Sequence, residues 1–154
     1  MKQLPYIITP PAGDSDFTIN TLSYLCNSLW NLKIHFDVVV KKSLENVPIV
    51  EVPQRIRFGL SRGSVYELSI PNKTSKEYIG FCINFASRLQ HYCPNLGFIA
   101  SARLMIPDRE LKKHGYRKII ATKIKGFPNE IVIVDNKEYE NLSDDVRSEL
   151  FREV

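Results

Sequence analysis

Asn84 and Arg88 stand four residues apart in YIGFCINFASRLQ (Tyr78 to Gln90), a run that is otherwise largely apolar. On a helix this spacing stacks the two side chains on nearly one face, a turn apart. A core helix rarely needs an arginine in such a place, so its guanidinium calls for a partner beyond the helix. Other chemistry-bearing residues are spread along the chain. Asp14 sits in a Gly-Asp-Ser turn, Glu77 follows Lys76 in a polar stretch, and Lys123 lies two residues before Lys125, which opens KGFPNE. Residue by residue, bland roles stay open: a turn aspartate caps local backbone, and an exposed arginine or glutamate is held by solvent or an ion pair. His35, His91 and His114 are scattered without zinc-ligand spacing, and neither a P-loop, a G-x-G-x-x-G nor a G-x-S-x-G motif occurs.

The 154 residues, 44% hydrophobic and 25% charged, predict one globular domain able to bury a core. The formal net charge of +4 suits an anionic ligand such as a nucleotide but is too small and too spread to predict nucleic-acid binding. No apolar run is long enough to span a membrane, and MKQLPYIITPP lacks the apolar core of a secretory leader. Cys26, Cys82 and Cys93 make an odd count without paired spacing, which predicts buried reduced thiols and a cytoplasmic setting.

These residues need elements to hold them. PYIITPP reads as a strand, AGDSD as a turn and DFTIN as the returning strand. From Asn20 to about Lys42 the period becomes helical, with Leu22, Leu25, Leu29, Leu32, Phe36 and Val39 or Val40 as its apolar stripe. Two strands around a bend at Gly63 follow, then a polar loop PNKTSKEY and a helix from Gly80 to Cys93. GFIASARL reads as a strand, PDRELKKHG as a short helix, and YRKIIATKI and EIVIVDN as two strands. The acid-rich tail predicts a surface helix, SDDVRSELFRE, with Ser143 as N-cap. The order β-β-α-β-β-α-β-α-β-β-α predicts an α+β fold: a mainly antiparallel sheet with helices packed on one face.

Three ordered segments resemble the catalytic domain of class III nucleotide cyclases, the adenylyl and guanylyl cyclase family. RFGLSRGSV (Arg57 to Val65) is similar to R-x-G-I-H-x-G-x-V, EYIGFCINFASRLQ to Y-D-x-x-G-x-x-V-N-x-A-x-R-L, and TPPAGDSDFTI to the Gly-Asp hairpin. KIKGFPNEIVIVD resembles the final strand pair, so the likeness runs from about Tyr6 to Asp135. It implies a ferredoxin-like cyclase domain over 1–135 without its first strand and helices, followed by an acidic helix or tail over 136–154.

The resemblance implies cyclisation of a nucleoside triphosphate to a 3′,5′-cyclic nucleotide and pyrophosphate at a dimer interface. Asn84 matches the ribose-orienting asparagine and Arg88 the transition-state arginine, whose fork stays charged and grips phosphate oxygens. Asp14 matches the second of two aspartates that hold Mg²⁺ or Mn²⁺; the first belongs to the missing unit. Glu77 matches a base-contacting position. Pro10 stands where purine-specific members carry lysine, and Ser61 stands for the family's histidine. Phe127 replaces the triphosphate lysine, leaving Lys123 and Lys125 as substitutes. The implied partner is a second copy or a complete cyclase domain, and the chain alone is expected to be inactive. The alternative is an inactive cyclase-homology domain serving as a dimerising or nucleotide-binding regulator.

Overall fold

The computed structural model describes residues 17–46, 56–69, 77–92 and 95–154. Their frame is a five-stranded sheet of β1 (Phe58–Leu60), β4 (Phe98–Ser101), β6 (Glu130–Asp135), β5 (Tyr116–Ala121) and β7 (Phe151–Arg152), in that spatial order. β1 runs parallel to β4, and the other pairings are antiparallel. β2 (Tyr66–Leu68) and β3 (Glu77–Ile79) form a separate antiparallel ribbon. The helices are α1 (Ile19–Asn46), α2 (Phe81–Tyr92), α3 (Asp108–Lys113), α4 (Asn136–Glu140) and α5 (Asp144–Leu150). A mixed α+β fold with a mostly antiparallel sheet is therefore what the chain adopts.

Helices cover both faces of that sheet, where the sequence reading expected one. Ile99 of β4 and Val132 and Val134 of β6 join Phe85 and Leu89 of α2 in one core. Their neighbours Phe98, Ala100 and Ile133 join Leu22 of α1 and Leu111 of α3 in another. The physical reason is in the strands themselves. Phe98-Ile99-Ala100 and Ile131-Val132-Ile133-Val134 are apolar at consecutive positions, so both pleat faces must leave water.

Several boundaries differ from the sequence reading. Ile19 and Asn20 are the first turn of α1 instead of a strand, with the Thr18 hydroxyl accepting from the Thr21 amide at 3.3 Å. The same helix runs on to Asn46. Its inward seam is Leu22, Cys26, Leu29, Lys33, Phe36 and Val40, alternating steps of four and three, whereas Leu32 and Val39 face solvent. Glu77 and Tyr78 form strand rather than loop, and Ala102–Leu104 turn as a 3-10 helix after β4. Phe98–Ser101, the short helix at Asp108, Gly115 at φ +80° after it, and the Ser143 cap on the Val146 amide match the reading. The tail gives more than a surface helix: Tyr139, Leu142 and Phe151 enter the α2-side core. Cys82 is buried and Cys26 half-buried, both as free thiols, while Asp14, Pro10 and the expected hairpin before Phe17 lie outside the described residues.

Candidate functional site

The glycines of RFGLSRGSV have a packing task. A Cβ on Gly59 would lie 2.0 Å from the Ala86 carbonyl oxygen and 2.7 Å from the Gln90 nitrogen, so α2 rests directly on the β1 backbone. One on Gly63 would meet Cβ of Cys82 at 3.0 Å, and one on Gly80 would meet the Ser64 carbonyl at 2.7 Å. The loop after β1 thus cradles the first turns of α2. Close approach of this kind fixes the rotation of the helix, and so the direction of every side chain on it.

With that rotation set, Cys82, Phe85 and Leu89 are buried, and Asn84 and Arg88 are exposed. Phe81, Phe85, Arg88 and Tyr92 follow at steps of four, three and four, which places them on one stripe. Segment 122–127, between β5 and β6, lies along this stripe and is tied at both ends. At one end Phe127 meets Phe81 and Phe85 with ring centroids 5.0 and 4.9 Å apart. At the other the Tyr92 hydroxyl donates to the Leu150 carbonyl and accepts from the amides of Thr122 (3.0 Å) and Lys123 (3.2 Å). One donor and two acceptor sites are thereby all used. Arg88 stands on the stripe between the two ties.

The segment displays cations. Lys125 and Gly126 are the central residues of a turn closed by the Phe127 amide on the Ile124 carbonyl at 2.9 Å, with Gly126 at φ +83°. Positive φ at the third position fits a type II turn, which leaves Lys125 exposed at its tip. Lys123 is also exposed but reaches Oε1 of Glu149 at 3.0 Å. At the α2 start, Arg103 lies 4.8 Å from the Phe81 ring and pairs with Glu130 at 3.2 Å. Among the described residues neither Asn84 nor Arg88 finds a side-chain partner. The result is an open cationic strip with an amide and a guanidinium side by side, chemistry suited to a polyanion carrying hydroxyl groups.

The structure thus brings Asn84, Arg88, Lys123 and Lys125 onto one surface. It does not bring Glu77 there: that residue pairs with Leu68 at the end of the ribbon away from α2. Asp14 falls outside the described residues, and among those described no group of three or more His, Cys, Asp or Glu is poised to hold a metal ion. No described helix is long and apolar enough to cross a membrane. Tyr92, which the sequence analysis does not single out, anchors the lysine-bearing segment. No local signal could reveal that, because its partners lie 30 to 58 residues away.

Outside the strip, a half-buried polar seam joins α1 to the sheet. Burial pushes the Cys26 thiol up to about 11, against a hydrogen bond from Tyr116, so it stays protonated and unreactive. Burial also raises the Glu138 carboxyl, although the Gly97 amide donates to it at 3.2 Å. Comparison with protein families, with curated proteins and with solved structures finds no match to this chain.

Proposed function

We propose that the chain is a class III nucleotide-cyclase-like domain, ferredoxin-like in fold, contributing part of a site at a dimer interface. The observation that supports this best is the strip itself: Asn84 and Arg88 on the α2 surface, without side-chain partners among the described residues, flanked by the segment carrying Lys123 and Lys125. In this reading the ribose 3′ hydroxyl attacks the α-phosphorus and the bond to pyrophosphate breaks. Asn84 orients the ribose, Arg88 neutralises charge gathering on the phosphoryl oxygens, and Lys125 holds the triphosphate. Mg²⁺ or Mn²⁺ at that site would be held by both metal aspartates of a complete partner domain and would supply charge neutralisation and activation of the hydroxyl, while Asp14 matches one metal aspartate of the second, incomplete site. The partner is a second copy or a complete cyclase domain.

The test is turnover of each of the four nucleoside triphosphates with Mn²⁺, by the chain alone and mixed with a complete class III cyclase domain. Cyclic nucleotide is expected in the mixture, falling on the order of a thousandfold with Arg88→Ala. No turnover and no nucleotide binding in any mixture overturns the reading. Two observations favour a regulatory module without catalysis: Glu149 already engages Lys123, and Phe127 is packed into an aromatic cluster. Nucleotide binding or dimerisation without turnover would select that alternative.

A further inference from the structure

On α1, Trp30, Ile34, Asp37, Lys41 and Leu44 recur at steps of four, three, four and three, the spacing of a helix-pairing seam. This flank is distinct from the seam whose first residues, Leu22, Cys26 and Leu29, pack on the sheet. Its apolar members are 54%, 50% and 57% exposed for Trp30, Ile34 and Leu44, and Asp37 and Lys41 are exposed between them. Among the described residues neither charge has an ion-pair partner. An acid and a base in the middle of an apolar seam cost little in water but define how another helix can lie on it.

We propose that this flank of α1 is a self-association surface that pairs antiparallel with α1 of a second copy. A two-fold axis at the level of Val39 sets Ile34 against the partner's Leu44 and Asp37 against the partner's Lys41, each contact occurring twice. The charge order selects this arrangement: parallel pairing would oppose aspartate to aspartate and lysine to lysine. The contact is isologous, so it closes at two copies. A single helix flank is smaller than a permanent interface, so association is concentration-dependent. α1 covers the opposite sheet face from α2, so this contact is separate from the cyclase-like interface and leaves Asn84 and Arg88 open.

Sedimentation equilibrium between about 10 µM and about 1 mM tests it on the full chain. The unmodified chain should show a monomer–dimer equilibrium. Asp37→Lys and Lys41→Asp should each weaken it roughly tenfold or more, since both central layers become like-charged. An equimolar mixture of the two variants should recover a heterodimer, and the double exchange in one chain should recover the homodimer. Far-UV circular dichroism should be unchanged, because exchanging one exposed charge of an i,i+4 pair perturbs the helix only slightly. A monomer throughout, a dimer indifferent to the single exchanges, or failure of the mixture and double exchange to restore pairing each overturns the proposal.

Discussion

Replacing Gly59 with alanine should unseat α2. The new Cβ would lie 2.0 Å from the Ala86 oxygen, 2.7 Å from the Gln90 nitrogen and 3.0 Å from the Ala86 carbonyl carbon. Ordinary contact begins at 3.4 Å, so the helix must retreat by roughly 1.4 Å, the difference from 2.0 Å. All three obstacles are backbone atoms, and no rotamer change relieves them. Overpacking a core costs about 1–3 kcal/mol. A lifted α2 also loosens Phe85 and Leu89, each worth about 1.5–3 kcal/mol when fully buried. A total near 4 kcal/mol is a large share of the roughly 5–15 kcal/mol that holds a domain together. With a urea slope of about 2 kcal/mol per molar, the midpoint should fall by roughly 2 M. Gly63→Ala is the internal control: its Cβ meets only a side chain at 3.0 Å, and a loss near 1 kcal/mol is expected. Equal midpoints for Gly59→Ala and the unmodified chain, or a larger loss at Gly63, would refute the account of how α2 is seated.

Tyr92→Phe removes the hydroxyl that ties α2 to Thr122, Lys123 and Leu150, leaving the Lys123 amide without its acceptor. A loss of about 1–3 kcal/mol is expected, with faster hydrogen exchange at Lys123 and weaker triphosphate binding; unchanged exchange there would contradict the anchoring role. Glu138→Gln probes the polar seam through pH. Burial raises the folded-state carboxyl above the ordinary 4.5, so the ionised form is disfavoured in the fold. The stability contributed by Glu138 is therefore fully present below 4.5 and is lost as pH rises through the raised value. Relative to the variant, the unmodified chain should lose stability across that window and run parallel above it; a difference that is flat from pH 4 to 8, or grows in its favour, would refute the sign.

Much of the candidate site was legible in YIGFCINFASRLQ, because an amphipathic helix declares its own buried face. Cys82, Phe85 and Leu89 go inward, which leaves Asn84 and Arg88 outward. The two-sided burial of the sheet was also written in Ile131-Val132-Ile133-Val134, a run without alternation, although the element order argued for one covered face. The α1 stripe was harder to read. Apolar residues occur nearly all round that helix, so periodicity alone admits Leu32 and Val39 as readily as Lys33 and Val40.

By itself the sequence determined the local features: the helical phase of α2, the Ser143 cap, the short strands and the glycines that admit close backbone contact. These depend on neighbours within a few residues, where propensity and periodicity act. Only the tertiary structure decided that β1 lies parallel to β4, that the tail adds β7 and Phe151 to the core, and that the Lys123–Lys125 segment lies along α2 beside Arg88. Those outcomes join residues tens of positions apart. They are chosen by which surfaces best exclude water and satisfy buried hydrogen bonds together, a quantity that no single stretch of the chain contains.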